Sequence, residues 1–339
     1  MPSAVFRFDA SPTIGAGHAM RSLVLADELA ASGWDVRLLV TAETLETVPA
    51  IGERDYRVMA LNASNWNDPQ VAAASFSGCD VLVLDHYELD ATYERTLRGR
   101  AGAIVVIDDL ADRPHDCDIL LDQTAGREEA DYAGLINPAS TLLLGSDYAL
   151  IRKEFITHTA QALARRMGAT EVKNVLVSFG YTDPSNATSA ALTALMDWGF
   201  DVTVAIGSRA PHLAEVQALA KDIGARVVLN ADNMAALMVN ADLAIGAAGS
   251  TSWERCCLGL PSIAVVTGAD QVYVAKALQQ HNAALVVEAG QITTALKKIN
   301  GQALQTMTNA AVKLCDGGGA ERVAQKIEEI VKKKDQNRG

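Results

Sequence analysis

Lysine is missing from the first 150 residues. Ten arginines carry all the basic charge there against 24 aspartates and glutamates, a net of −14, while the remainder of the chain holds 19 basic and 17 acidic residues. So acidic a first half repels phosphate backbones and anionic lipid headgroups, which argues against nucleic acid and membrane surfaces as its partners. No run of about 18 uninterrupted apolar residues occurs, so no membrane span is expected. A basic leader with a long apolar stretch is also missing, and nothing in the sequence points to secretion. The five cysteines, Cys79, Cys117, Cys256, Cys257 and Cys315, contain no Cys-x-x-Cys pair, which removes zinc knuckles and redox motifs. Adjacent Cys256 and Cys257 point in two directions on a helix and read as packing. A reducing, cytoplasmic setting is expected. There is no repeat at solenoid period and no low-complexity segment.

The chain does hold 49% apolar and 21% charged residues, ordinary for a folded protein with a core. Short β-branched or Leu-rich runs alternate with helical stretches. In the first half the runs are Ala4–Phe8, Val36–Val40, Tyr56–Leu61, Val81–Leu84, Ala103–Ile107, Ile119–Leu121 and Thr141–Leu144. The rhythm restarts with Asn174–Ser178, Val202–Ile206, Arg226–Leu229, Leu243–Ile245, Ser262–Val266 and Ala284–Val287. Near-continuous apolar strands joined by helices indicate parallel sheets covered on both faces. The expected fold is α/β, with two Rossmann-like, doubly wound domains and a ligand cleft between them. Residues 1–150 form one domain and 151–339 the other. A helical run Arg152–Met167 bridges the halves, and a final helix Gly319–Lys333 crosses back to the first. The run Lys332-Lys333-Lys334 and the tail beyond it read as a solvated, frayed end.

Ligands meet the carboxyl ends of strands in such sheets. The first strand is followed by Ile14-Gly15-Ala16-Gly17-His18-Ala19-Met20-Arg21. Gly15 and Gly17 let the backbone turn sharply and approach a ligand. His18 sits at a helix N-terminus, whose partial positive charge disfavours the protonated ring, so it suits taking a proton from water or a sugar hydroxyl. It could equally pack or cap. The loop lacks the full dinucleotide spacing and the P-loop Lys-Ser/Thr, so no cofactor is expected. Other strand ends carry Asp9, Asp85-His86-Tyr87 and Asp108-Asp109. Asp9, Asp85 and Asp109 are open to orienting His18, contacting sugar amides or capping helices.

In the second half, Gly246-Ala247-Ala248-Gly249-Ser250-Thr251-Ser252-Trp253-Glu254 runs from a strand into a helix. Small residues followed by Ser-Thr at a helix start form an anion site. Glu254, one turn in, could accept both hydroxyls of a ribose, or it could close a capping box with Ser250 or Thr251.

Taken together, Ile14-Gly15-Ala16-Gly17-His18-x-x-Arg21, Asp85-His86-Tyr87, Ile107-Asp108-Asp109-x-x-x-Arg113, Gly145-x-x-Tyr148-x-Leu150-Ile151-Arg152 and Gly249-Ser250-Thr251-x-x-Glu254 resemble the UDP-sugar hydrolase family of pseudaminic acid biosynthesis (PseG), from residue 4 to about 330. That family is similar to the MurG-type glycosyltransferases, which implies the GT-B architecture. The resemblance implies metal-independent hydrolysis of a UDP-linked 2,4-diacetamido-2,4,6-trideoxyhexose, the free sugar passing to a nonulosonate synthase. It implies His18 as base and Tyr87 near the sugar, and Asp85 of the same motif is a further catalytic candidate whose role stays open. It also implies substrate contacts at Gly15, Gly17, Arg21, Gly180, Asn186, Asn233, Met234, Gly249, Ser250, Thr251 and Glu254. The Asn233-Met234 loop would give backbone contacts to uracil. No metal ligand is implied. One departure is visible. Where the family usually reads Ser-Phe-Gly-Gly, this chain has Ser178-Phe179-Gly180-Tyr181. That change bears on the sugar more than on the chemistry. Two rival readings stand beside this one: a GT-B glycosyltransferase using the same histidine on an acceptor hydroxyl, and a nucleotide-sugar binding protein without turnover.

Overall fold

A computed structural model of the chain describes residues 1–62 and 64–338. The chain divides into two compact units, Met1–Leu150 with the segment from Gly318 onward, and Ile151–Gly317.

The first unit is built on seven strands, β1 (Ser3–Phe8), β2 (Asp35–Thr41), β3 (Arg57–Leu61), β4 (Cys79–Asp85), β5 (Ala101–Ile107), β6 (Ile119–Asp122) and β7 (Thr141–Leu144). They form one parallel sheet in the order β3-β2-β1-β4-β5-β6-β7. The second unit holds β8 (Asn174–Ser178), β9 (Asp201–Ile206), β10 (Arg226–Leu229), β11 (Leu243–Ala247), β12 (Ser262–Val265) and β13 (Leu285–Val287). Its parallel order is β10-β9-β8-β11-β12-β13. Every apolar run read as a strand is one, with ends shifted by one or two residues. Thus β4 begins at Cys79 because Cys79 pairs with Ala101 across the ladder. Conversely, Val266 falls outside β12 and is 39% exposed.

Alternation along β1 shows why the first sheet needs cover on both faces. Ala4, Phe6 and Phe8 join one core with Leu23, Leu25 and Leu29 of the helix Gly17–Ala31. Val5 joins the opposite core with Leu39, Leu82, Leu84 and Tyr93. The strand order reverses between β1 and β4, and again between β8 and β11. At such switch points the connections leave the sheet in opposite directions and open a crevice at the strands' carboxyl ends.

The final helix changes the expected bookkeeping of residues. Helix Gly319–Arg338 packs Val323 and Ile327 into the first unit's core, so the second unit ends at Gly317 rather than running to residue 339. The helix Lys153–Arg166, expected as a bridge, groups with the second unit. Nor is the lysine run simply solvated. Lys334 Nζ donates to Asp118 Oδ1 at 2.6 Å and to the Gly102 carbonyl at 3.0 Å, both at the amino-terminal edge of the first sheet.

Ile327 is 1% exposed. Ile327→Ala should therefore destabilise the first unit by about 2–5 kcal/mol through lost burial and the cavity left behind. Urea unfolding monitored by circular dichroism checks this, with the first transition moving to lower urea.

Candidate functional site

In the first unit, the chain leaves β1 at Asp9 and turns back through a bridge between Ser11 and Gly15. The Gly15 amide donates to the Ser11 carbonyl at 2.7 Å, and Gly15 takes φ +82°, a left-handed conformation that favours glycine. Gly17 does not share that demand, being the first residue of the following helix. His18 comes next, on the first turn of the helix, and is 5% exposed.

Because β4 lies next to β1, Asp85 at its end faces this turn. His18 Nδ1 is 2.6 Å from Asp85 Oδ1. Arg21, one turn further along the helix, donates from Nη2 to Asp85 Oδ1 at 2.6 Å and from Nε to Oδ2 at 2.7 Å. Ser22 Oγ donates to Oδ2 at 3.0 Å. Asp85 is fully buried, and burial works against its ionised form. The Arg21 and His18 charges and hydrogen bonds outweigh this and hold its carboxyl well below the usual range. An ionised Asp85 can only accept, so Nδ1 of His18 carries a proton toward it, and in the singly protonated ring the lone pair lies on Nε2. Arg21 Nη2 also lies 3.2 Å from Nδ1, a contact between two donors in that tautomer.

The three aspartates left open by sequence are thereby separated. Asp85 orients His18. Asp109 Oδ2 accepts from Arg21 Nη1 at 2.8 Å and fixes the far side of that guanidinium. Asp9 pairs with the fully buried Arg7 at 2.7 Å and accepts from the Thr41 amide and Thr44 hydroxyl, each at 3.2 Å. Arg21, expected among substrate contacts, is 7% exposed with its guanidinium taken up by Asp85 and Asp109. Tyr87 stands edge-on to His18, ring centroids 4.3 Å apart at 80°. The neighbouring His86 is in a different state. The Glu88 amide donates to its Nδ1 at 3.0 Å, its ring lies tilted at 38° against Trp66, and burial, with the Arg7 charge nearby, brings its pKa down to about 4.

In the second unit, Gly180 follows β8 with φ +91°. The Tyr181 ring fills the space beside Gly207, where a Cβ would stand 2.7 Å from its Cδ1. The tyrosine that departs from the family pattern is therefore seated by a glycine two elements on. Asp183 caps the next helix through the Ala187 and Thr188 amides, at 3.0 and 2.8 Å. Asn186 adopts φ +54° just before that helix, and its buried Oδ1 makes no hydrogen bond. Asn233 is exposed and Met234 half-buried, at the start of the helix following β10.

Gly249, Ser250 and Thr251 follow β11 at the switch point, and Ser250 is exposed. The capping box is not formed. Ser250 has helical dihedrals and its side chain caps nothing. Glu254 turns instead to Arg152, whose Nε donates to Oε1 at 3.1 Å, while Arg152 Nη1 holds Glu154 at 2.8 Å. Burial pushes the Glu254 carboxyl up, with Arg152 pulling the other way. Arg152 stood in a quoted motif, yet nothing in the sequence tied it to Glu254. Among the described residues no three His, Cys, Asp or Glu side chains gather as a metal-ligand set, and no helix is long and apolar enough to cross a membrane.

Comparison with solved structures decides the architecture. The chain aligns with MurG of Acinetobacter baumannii at TM-score 0.69 and 18% identity, over 97% of this chain and all of that one. The chain has the GT-B fold. Residues 181–330 match the glycosyltransferase family 28 C-terminal domain. The chain is 27% identical over 75% of its length to an uncharacterized protein of Methanocaldococcus jannaschii, and it spans about half (54%) of that protein. It is 26% identical, again over 75% of its length and 88% of the relative, to the UDP-2,4-diacetamido-2,4,6-trideoxy-beta-L-altropyranose hydrolase of Campylobacter jejuni.

Asp85→Asn should cost about 3–5 kcal/mol at neutral pH, because Arg21 loses its central counter-charge inside the protein. Asp85 has a depressed pKa, so its contribution is fully present above the unfolded carboxyl value of about 4 and is lost as pH falls toward the folded one. Thermal unfolding at stepped pH should show wild type and variant converging below about pH 4.

Proposed function

We propose that this GT-B protein is a hydrolase that removes UDP from a UDP-2,4-diacetamido-2,4,6-trideoxyhexose, releasing the free sugar for nonulosonic (pseudaminic) acid biosynthesis. The observation that carries the reading is the Asp85–His18 pair. It leaves a lone pair on Nε2 at the carboxyl end of β1, where a parallel sheet receives its ligand. Water attacks the anomeric carbon as His18 Nε2 takes its proton. The carbon–oxygen bond to the β-phosphate breaks and UDP carries away the electron pair. Asp85 then steadies the imidazolium, and Tyr87 borders the sugar.

Glu254 is assigned to the ribose hydroxyls, with Gly249, Ser250, Thr251, Gly180 and Asn186 serving the diphosphate side and the Asn233-Met234 segment serving uracil. Preorganised amide donors stabilise a leaving diphosphate without a metal, so turnover is expected to survive chelators. The five free thiols support a cytoplasmic setting. A glycosyltransferase reading is favoured by one finding, the family 28 match over residues 181–330. In that case His18 would deprotonate an acceptor hydroxyl instead of water. UDP release from a panel of UDP-sugars, with and without acceptor, separates the two. Release without acceptor, with oxygen from labelled water in the sugar, supports hydrolysis.

His18→Asn should reduce turnover by roughly 10²–10⁴ with UDP affinity nearly unchanged. Full turnover in the variant would remove His18 from the chemistry. Calorimetric titration of Glu254→Ala should show UDP binding weakened by about 1.5–3 kcal/mol, the range for charge-assisted hydrogen bonds. Arg152→Met offers a pH test. Arg152 lowers the Glu254 pKa against the upward push of burial, so its removal raises that pKa. UDP binding, which needs the carboxylate, should then fail at a higher pH than in wild type.

A further inference from the structure

Residues 1–150 hold ten arginines, most of them paired closely with a carboxylate. Six of the ten, Arg7, Arg21, Arg54, Arg98, Arg113 and Arg127, lie within 2.9 Å of a carboxylate oxygen. Carboxylates are abundant in this half, so an arginine left without one is notable. Of the remaining four, Arg37, Arg57 and Arg100 converge on one cavity of about 320 Å³, together with Ser75, Phe76 and Ser77. None of the residues lining it is acidic.

The geometry of the sheet makes this costly. Arg37 and Arg57 are register partners on β2 and β3, and like charges on paired positions repel. Arg100 adds a third guanidinium from the turn just before β5. Arg37 donates to the Gly78 carbonyl at 3.0 Å, and its Nε faces the half-exposed Asp35 Oδ2 at 3.4 Å without forming a hydrogen bond. Among the described residues, Arg100 donates to the Phe76 and Ser77 carbonyls, at 3.5 and 3.4 Å. Carbonyl oxygens hold Arg37 and Arg100 in place, and the carboxylate paired within this group of three guanidiniums is the half-exposed Asp35, at Arg37.

We propose that this cavity is an anion site whose occupant is a free phosphate or the phosphoryl group of a small metabolite. Guanidinium forks match phosphate oxygens in geometry and charge, and the volume sits at the low end for small-ligand cavities, roughly 300–1,000 Å³. The site lies at the amino-terminal edge of the first sheet, around the starts of β2, β3 and β5, whereas His18 and Asp85 stand at the carboxyl ends. It is therefore separate from the candidate active site and does not depend on the hydrolase reading.

The test compares wild type with Arg57→Gln/Arg100→Gln, two exposed positions whose loss leaves Arg37 in its place. Thermal shifts are recorded against inorganic phosphate, a hexose phosphate and sodium chloride at matched ionic strength. Wild type should be stabilised by phosphate beyond the chloride control. The double variant should need at least about tenfold more phosphate for the same shift, as expected for two lost charge-assisted contacts. A stronger response to hexose phosphate than to phosphate identifies a phosphorylated metabolite, and equal responses identify the free ion. The proposal is overturned if wild type responds to phosphate no more than to chloride. It is also overturned if the variant keeps the wild-type response, which would assign phosphate to another part of the chain. UDP titrations should be the same for both proteins.

Discussion

A fully buried carboxylate, Asp85, organises the first unit's candidate site. Its two oxygens accept from His18, Arg21 and Ser22, three residues of one helix. This ties the helix that follows β1 to the end of β4. Such a charge is tolerable inside a protein only with a counter-charge and filled lone pairs, and Arg21 supplies both. Asp109 then takes the remaining face of Arg21. The histidine tautomer, the ring's orientation and the position of the helix start all follow from that one group. His86 makes the contrast clear. It too is a buried histidine at the end of β4, but it accepts from the Glu88 amide and lies tilted against Trp66, with Asp9 at 3.6 Å as its carboxylate neighbour.

Both units place their polar segments by the same topological device. The sheet order reverses between β1 and β4 in one and between β8 and β11 in the other. His18 and Asp85 flank the first switch, and the Gly249–Glu254 segment follows the second. The two candidate segments thus rest on two copies of one arrangement, each stiffened by apolar strands buried on both faces. The second unit has its own ion pair, Arg152 with Glu254, which sets the carboxylate's direction where a capping box would have turned it toward the helix start.

Charge in the first unit is arranged in two ways. At the carboxyl ends of the strands, arginines are absorbed by aspartates and become scaffold. At the amino-terminal edge, Lys334 and Arg98 meet Asp118, while Arg37, Arg57 and Arg100 line one cavity. Net charge alone, at −14 for residues 1–150, conceals that local reversal of sign.

The fold was legible in the sequence because parallel strands buried on both faces must be near-continuously apolar, and each such run marks a strand whatever its neighbours. The glycine loop, His18 and the Gly249–Glu254 segment were legible because they follow those strands directly. What the sequence left open concerned partners far apart in the chain. Asp9, Asp85 and Asp109 look alike as strand-end aspartates, and only the placement of β4 beside β1 brings Asp85, 67 residues from His18, to its ring. Glu254 fitted a local capping box by spacing, but Ser250 takes helical dihedrals and Glu254 meets Arg152, 102 residues away, instead. Lys334 read as a frayed tail until the final helix laid it against Asp118, 216 residues earlier. Local pattern determined the strands, turns and helix starts; tertiary structure decided which charges meet, since that depends on strand order rather than on spacing.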